Sequence, residues 1–135
     1  MHQSAEISVI LSTPSAKTLC HWAIYLRITH GHDVQHILYQ AAGNAEEQFV
    51  LDVRQEDPKA LDTFERQIDV CIIDGAADVT EAREVVEGQP MQNGISTWSC
   101  QDWVVDTLEA LHDARLVDDY EYGAAMTTLE DLYIK

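Results

Sequence analysis

The sequence predicts an α+β domain, an antiparallel sheet of about five strands supplied by the first half of the chain with helices from the second half packed on it. Three observations carry this. Apolar and polar residues alternate in short runs as far as residue 73. The connections between the first four runs are too short for crossover helices, so those strands run antiparallel. From residue 76 the apolar spacing changes to that of a helix. A chain of 135 residues, 46% hydrophobic and 24% charged, has the size and composition of one globular domain, 1–135, that buries a core of its own.

In "AEISVIL" (5–11), Ile7, Val9 and Leu11 fall on one side. "STPSAK" reads as a turn or loop by its Ser, Pro and Lys content. "CHWAIYLRI" (20–28) then puts Trp22, Ile24 and Leu26 on one face and His21, Ala23 and Tyr25 on the other. "THGHD" is expected to turn the chain into "VQHILYQ" (34–40), where His36, Leu38 and Gln40 share a face, and "AAGNAEE" to form the loop before a fourth strand, "QFVLDV" (48–53). Pro58 opens a short helical turn through "KALDTF", and "QIDVCII" (67–73) is a buried fifth strand. "DVTEAREVVEG" has acids at its front and Gly at its end, as a helix does. "QPMQNG" breaks the chain before the next helix. In "DDYEYGAAMTTLEDLYIK", Tyr122, Met126, Leu129 and Tyr133 recur at helical spacing and form a stripe that would cover the sheet.

With 24 acidic against 8 basic residues, the net charge is -16. That argues against nucleic acid and anionic membrane surfaces as partners. The acids serve chiefly to keep the chain soluble. Three cysteines, Cys20, Cys71 and Cys100, cannot all pair within one chain. The start of the sequence lacks a basic n-region, and no apolar run approaches the ~20 residues of a membrane span. A reducing, cytoplasmic setting is the expectation. "HGHD" lacks the ligand spacing of a standard metal site and reads as an exposed turn, so neither metal nor other cofactor is expected.

The segment "STWSCQDWVVDTLEAL" (96–111) raises the question of function. With Ser99 as N-cap, Asp102 falls at the third helical position and completes a capping box, while Trp98 and Trp103 occupy the positions of a hydrophobic staple. Cys100 is then the first helical residue, among backbone N–H groups without intrahelical partners and beside the positive end of the helix dipole. Both effects favour thiolate over thiol, although Asp102 opposes them. The same N–H groups could hold an oxyanion, with Gln101 among the candidate donors. Alternatively, Cys100 fills space between the two tryptophans. Cys20 and Cys71 read as core. His112, late in the same helix, lies too far along it to reach the thiol.

A nucleophile needs a base. His21 and His36 interrupt strands that are otherwise largely apolar, and a hairpin turn near "THGH" can bring them to one face. The boxes "HWAIYL", "VQHILYQ" and "WSCQDWV" resemble those of the circularly permuted, NlpC-type papain-like proteins, the branch that contains lecithin:retinol acyltransferase and its phospholipase/acyltransferase relatives. They are closer still to a set of fungal proteins with a HWAxYL…HxIYQ…WxCQD pattern. The resemblance spans about residues 5–112 and implies a circularly permuted papain-like fold with Cys100 as nucleophile, His21 as general base and acid, and His36 as the group that orients His21. Gln40, on the same face as His36, is the competing orienter; the family pattern favours His36. The membrane-acting relatives continue into a C-terminal transmembrane segment, whereas residues 101–135 here carry nine acids and two bases, unsuited to an anionic bilayer.

The expected activity is that of a thiol-dependent hydrolase or acyltransferase using a Cys-His-His triad on an amide, ester or thioester carbonyl. Peptidase or isopeptidase action on a protein tail, or a biosynthetic use of the same thiol, are alternatives within that chemistry, with a small molecule or a peptide as substrate. A catalytically inactive binding module on the same fold is the alternative from another class.

Overall fold

The computed structural model describes residues 2–13, 21–44, 48–95 and 97–133. Among them the chain forms the strands β1 (Gln3–Ser12), β2 (His21–His30), β3 (Asp33–Asn44), β4 (Gln48–Arg54) and β5 (Phe64–Asp74). The helices α1 (Ala76–Glu87), α2 (Cys100–Asp113) and α3 (Asp119–Leu132) follow. The strands make one antiparallel sheet in the order β4-β3-β2-β1-β5. All three helices lie on one face of it, α2 over β2 and β3, α1 over β1 and β5, and α3 against α2 and β5. This is the α+β architecture expected from the sequence.

The period-2 pattern decides which side chains meet the helices. Ile7, Val9, Leu11, Trp22, Ile24, Leu26, Ile37 and Tyr39 are buried against Val79, Val86, Trp103, Val104, Leu108 and Leu129 of the helices in one core. The opposite face carries a smaller apolar cluster, Ile10, Ala23, Tyr25 and Leu38, onto which Leu61 and Phe64 pack. Both faces of the sheet are thus partly covered, and a one-residue slip of β2 would exchange the two sets and expose Trp22.

The β2–β3 hairpin turns on two residues, with His30 paired to Asp33. Gly31, at φ 64°, takes the first of them, as a tight primed turn requires. His30, His32 and Asp33 are exposed there, and among the described residues no group of three or more His, Cys, Asp or Glu side chains could hold a metal ion. No described helix is long and apolar enough to cross a membrane.

Three boundaries differ from the sequence expectation. β3 continues through Ala41, Ala42 and Gly43, which pair with Leu51, Val50 and Phe49; ladder pairing overrides the low strand preference of Ala and Gly. The helical turn after Pro58 shrinks to a 3-10 turn, Pro58–Ala60, and β5 begins at Phe64. The register of β1 with β5 shifts between Ile7 and Ser8, which face Cys71 and Asp69. The extra residue of this bulge turns both Val70 and Cys71 into the core. Cys20 and the turn around "TPSAK" lie outside the described residues. Cys71 is core as expected: burial pushes its thiol up to about 12, which leaves it inert.

Gly43 has φ +114°, and a Cβ there would meet the carbonyl oxygen of Gln48 at 2.3 Å. Because that neighbour is backbone, it cannot move aside cheaply. Gly43→Ala is expected to cost ~2–4 kcal/mol through steric overlap and a strained φ. Equilibrium denaturation should register it as a lower midpoint with an unchanged slope.

Candidate functional site

The first turn of α2 forms as its sequence dictates. Ser99 is extended, at φ -140° and ψ -177°, and caps the helix; its hydroxyl accepts from the Gln101 N–H at 3.3 Å. The Asp102 carboxylate returns to the Ser99 N–H at 2.8 Å, completing the capping box. Cys100 is therefore the first helical residue, partly buried against the main core. The two tryptophans bracket this turn with separate anchors. Trp98 packs edge-on against Phe49 and donates its indole N–H to Asp106 at 3.1 Å. Trp103, fully buried, reaches the Gln89 carbonyl at 3.4 Å.

Gln101 was expected among the oxyanion donors. Its side chain is buried at 1% exposure, and its backbone N–H is engaged by Ser99. The capping box and the core thus draw on the groups that an oxyanion would use.

His21 opens β2 and, by alternation, projects with Ala23 and Tyr25 from the face opposite Trp22. Its Nε2–H donates to Gln40 Oε1 at 2.5 Å. The Gln40 amide in turn donates to Asp52 at 2.6 Å, and Arg54 Nε donates to the same carboxylate oxygen at 2.8 Å. A polar chain thus runs across β2, β3 and β4. Burial depresses the His21 pKa below 6.5, outweighing the Gln40 bond that raises it; Arg54 lowers it further and Asp52 raises it. The imidazole is consequently neutral at pH 7 and able to accept a proton.

His36 does not reach His21, which corrects the expected Cys-His-His arrangement. The hairpin register pairs His36 with Arg27, six residues along β2 from His21, or ~20 Å at ~3.3 Å per residue. Its Nδ1 instead shares a 2.6 Å hydrogen bond with the Tyr25 hydroxyl, the two rings stacked at 6.0 Å. Gln40 lies beyond Tyr39, which pairs with Ile24, and so arrives at the start of β2. The length of the hairpin, rather than residue type, makes Gln40 the hydrogen-bond partner of His21. A hairpin of two turn residues counted back from "HGHD" could have revealed this.

The start of α2 and the start of β2 meet at one end of the molecule through Tyr133. This residue follows α3, lies edge-on against Trp22 at 6.0 Å, and donates its hydroxyl to Asp102. Its phenol is pushed up to about 12, first by burial, then by the Asp102 bond and the negative charge of Asp102 and Asp106. Asp102 and Cys100 share one helical turn on this side of the sheet, whereas His21, next to Trp22 in sequence, projects from the other side. Sequence reading assigned Tyr133 only to a packing stripe, and Asp52 and Arg54 to no role. The i, i+2 spacing of the last two in "LDVR" was the legible sign that they share a face.

His112 belongs elsewhere. It bonds Asp119 at 2.7 Å in the last turn of α2 and stacks on Tyr122. His2 bonds Asp74 at 3.1 Å.

No curated protein and no solved structure matches the chain. The profile of one protein family matches residues 8–118, from β1 through the whole of α2 and just short of α3, and so includes His21, Gln40, Asp52 and Cys100. The chain belongs to that family, the family of unknown function DUF6540.

Proposed function

We propose that this protein is a thiol-dependent hydrolase or acyltransferase with a Cys-His-Gln site, Cys100 as nucleophile, His21 as general base and acid, and Gln40 as orienter. The observation that carries this reading is the His21–Gln40 hydrogen bond, made by a neutral imidazole at the start of β2; because His21 projects from the sheet face away from the helices, the reading requires the Cys100 thiol, at the first turn of α2, to reach it past the end of β2. Gln40 occupies Nε2, so Nδ1 is the nitrogen that takes the thiol proton. The thiolate attacks an amide, ester or thioester carbonyl, and the helix dipole favours the oxyanion that forms. Collapse expels the leaving group, protonated by His21, and water or another acceptor resolves the acyl-enzyme. The order of the boxes, histidine first and cysteine last, fits a circularly permuted papain-like enzyme, with a small molecule or a peptide as substrate.

One observation favours a second reading, recognition without catalysis: the Gln101 N–H is already engaged by Ser99. The pH dependence of Cys100 alkylation by iodoacetamide separates the two, with the modified residue assigned by peptide mass spectrometry. For the enzyme, the rate follows an apparent thiol pKa below the ~8.5 of free cysteine. His21→Gln removes the base and slows alkylation at pH 7 by ~10-fold or more. A free-cysteine profile that ignores His21 would exclude the enzyme reading.

A further inference from the structure

The atoms beyond Gln40 decide which nitrogen of His21 carries its proton. Asp52 Oδ2 accepts from both Gln40 Nε2 and Arg54 Nε. These contacts hold the carboxyl below its ordinary range against the opposing effect of burial, the Gln40 bond contributing most. At neutral pH Asp52 is therefore a carboxylate, which can only accept hydrogen bonds. It forces the NH2 of the Gln40 amide towards β4 and the carbonyl oxygen towards His21. A carbonyl oxygen also only accepts, so His21 Nε2 must carry the hydrogen and the lone pair must lie on Nδ1.

An amide has two orientations of almost the same shape. Turned over, Gln40 would present its NH2 to Nε2, the ring proton would move to Nδ1, and His21 would have no lone pair for a thiol. We propose that Asp52, clamped by Arg54, is a positioning residue that sets the tautomer of His21 through Gln40. The consequence for catalysis rests on the reading of His21 as the base for Cys100; the tautomer itself does not. A purely structural Asp52 would tie β4 to β3 and affect stability alone. A tautomer-setting Asp52 acts on a ring two hydrogen bonds away, with the fold unchanged.

The test uses the full chain carrying 15N-labelled histidine, observed by NMR at a pH above 7, in wild type, Asp52→Asn and Asp52→Ala. The asparagine variant keeps the size of the side chain and so guards against loss of folding in the alanine variant. The expected wild-type spectrum has His21 as the Nε2–H tautomer. Both variants should show a mixture with substantial Nδ1–H, and iodoacetamide alkylation of Cys100 at pH 7 should fall by ~10-fold or more, in the sense that a wrong tautomer disables a catalytic histidine. An Nδ1–H tautomer in wild type, or an Nε2–H tautomer unchanged in the folded variants, overturns the proposal whatever happens to alkylation. A tautomer shift with alkylation unchanged upholds the role of Asp52 and removes His21 as the base for Cys100.

Discussion

Cys100→Ala is expected to abolish thiol-dependent acyl turnover, a loss of ~10^3-fold or more, because the nucleophile of a covalent mechanism has no substitute. The same change should leave stability within ~1 kcal/mol of wild type, since Cys100 is small and only partly buried and the capping box belongs to Ser99 and Asp102. Cys71 does not replace it, being buried, with its thiol pushed up to about 12. Steady-state release of p-nitrophenol from a p-nitrophenyl ester, read beside thermal unfolding of the same samples, checks both halves. Retained turnover in a folded Cys100→Ala protein would remove the nucleophile from the account.

The largest effect on the fold is expected from Trp103→Ala. Trp103 is fully buried at the centre of the helix layer and links α2 to the Gln89 carbonyl just after α1. Its removal leaves a large cavity, at a cost of ~3–5 kcal/mol. A domain of this kind has ~5–15 kcal/mol in all, so the variant should keep its sheet while losing a large part of its margin against unfolding. Urea denaturation followed by far-UV circular dichroism gives the shift in midpoint. A change under ~1 kcal/mol would mean that α2 is anchored elsewhere, chiefly by the Trp98–Asp106 and Tyr133–Asp102 contacts.

The sheet was legible because its strands alternate cleanly and because short connections leave no room for crossovers. The start of α2 was legible residue by residue, since Ser99, Asp102 and the bracketing tryptophans are local signals that the fold had no reason to override. The extent of β3 was not. Ala42 and Gly43 have no intrinsic preference for a strand, and only pairing with Val50 and Phe49 keeps them in one.

The site shows the same division between local and cross-strand information. That His21, His36 and Gln40 share a face follows from alternation, yet the choice between His36 and Gln40 depends on hairpin register. Residue type and family resemblance pointed to His36; geometry joins His21 to Gln40 and gives His36 to Tyr25. Asp52 and Arg54 enter only when β4 is laid beside β3 in register.

The proposed chemistry differs in one respect from a thiolate–imidazolium pair formed in advance. Burial holds His21 neutral at pH 7, so in the proposed mechanism it would act as a base on a thiol rather than as the cation of a preformed ion pair. Because the folded pKa of His21 is depressed, protonation is resisted in the native state and welcomed in the unfolded one. Stability on this account is intact above pH 6.5 and is lost as the pH falls from 6.5 through the lower folded value.

Acyl capture tests the central claim most directly. Wild-type protein is mixed with p-nitrophenyl acetate, quenched in acid within the first turnover and mapped by peptide mass spectrometry. The expected result is an acetyl group on Cys100, absent from Cys71 and strongly reduced in His21→Gln. An unmodified Cys100, or acetylation that His21→Gln leaves at the wild-type level, would contradict it.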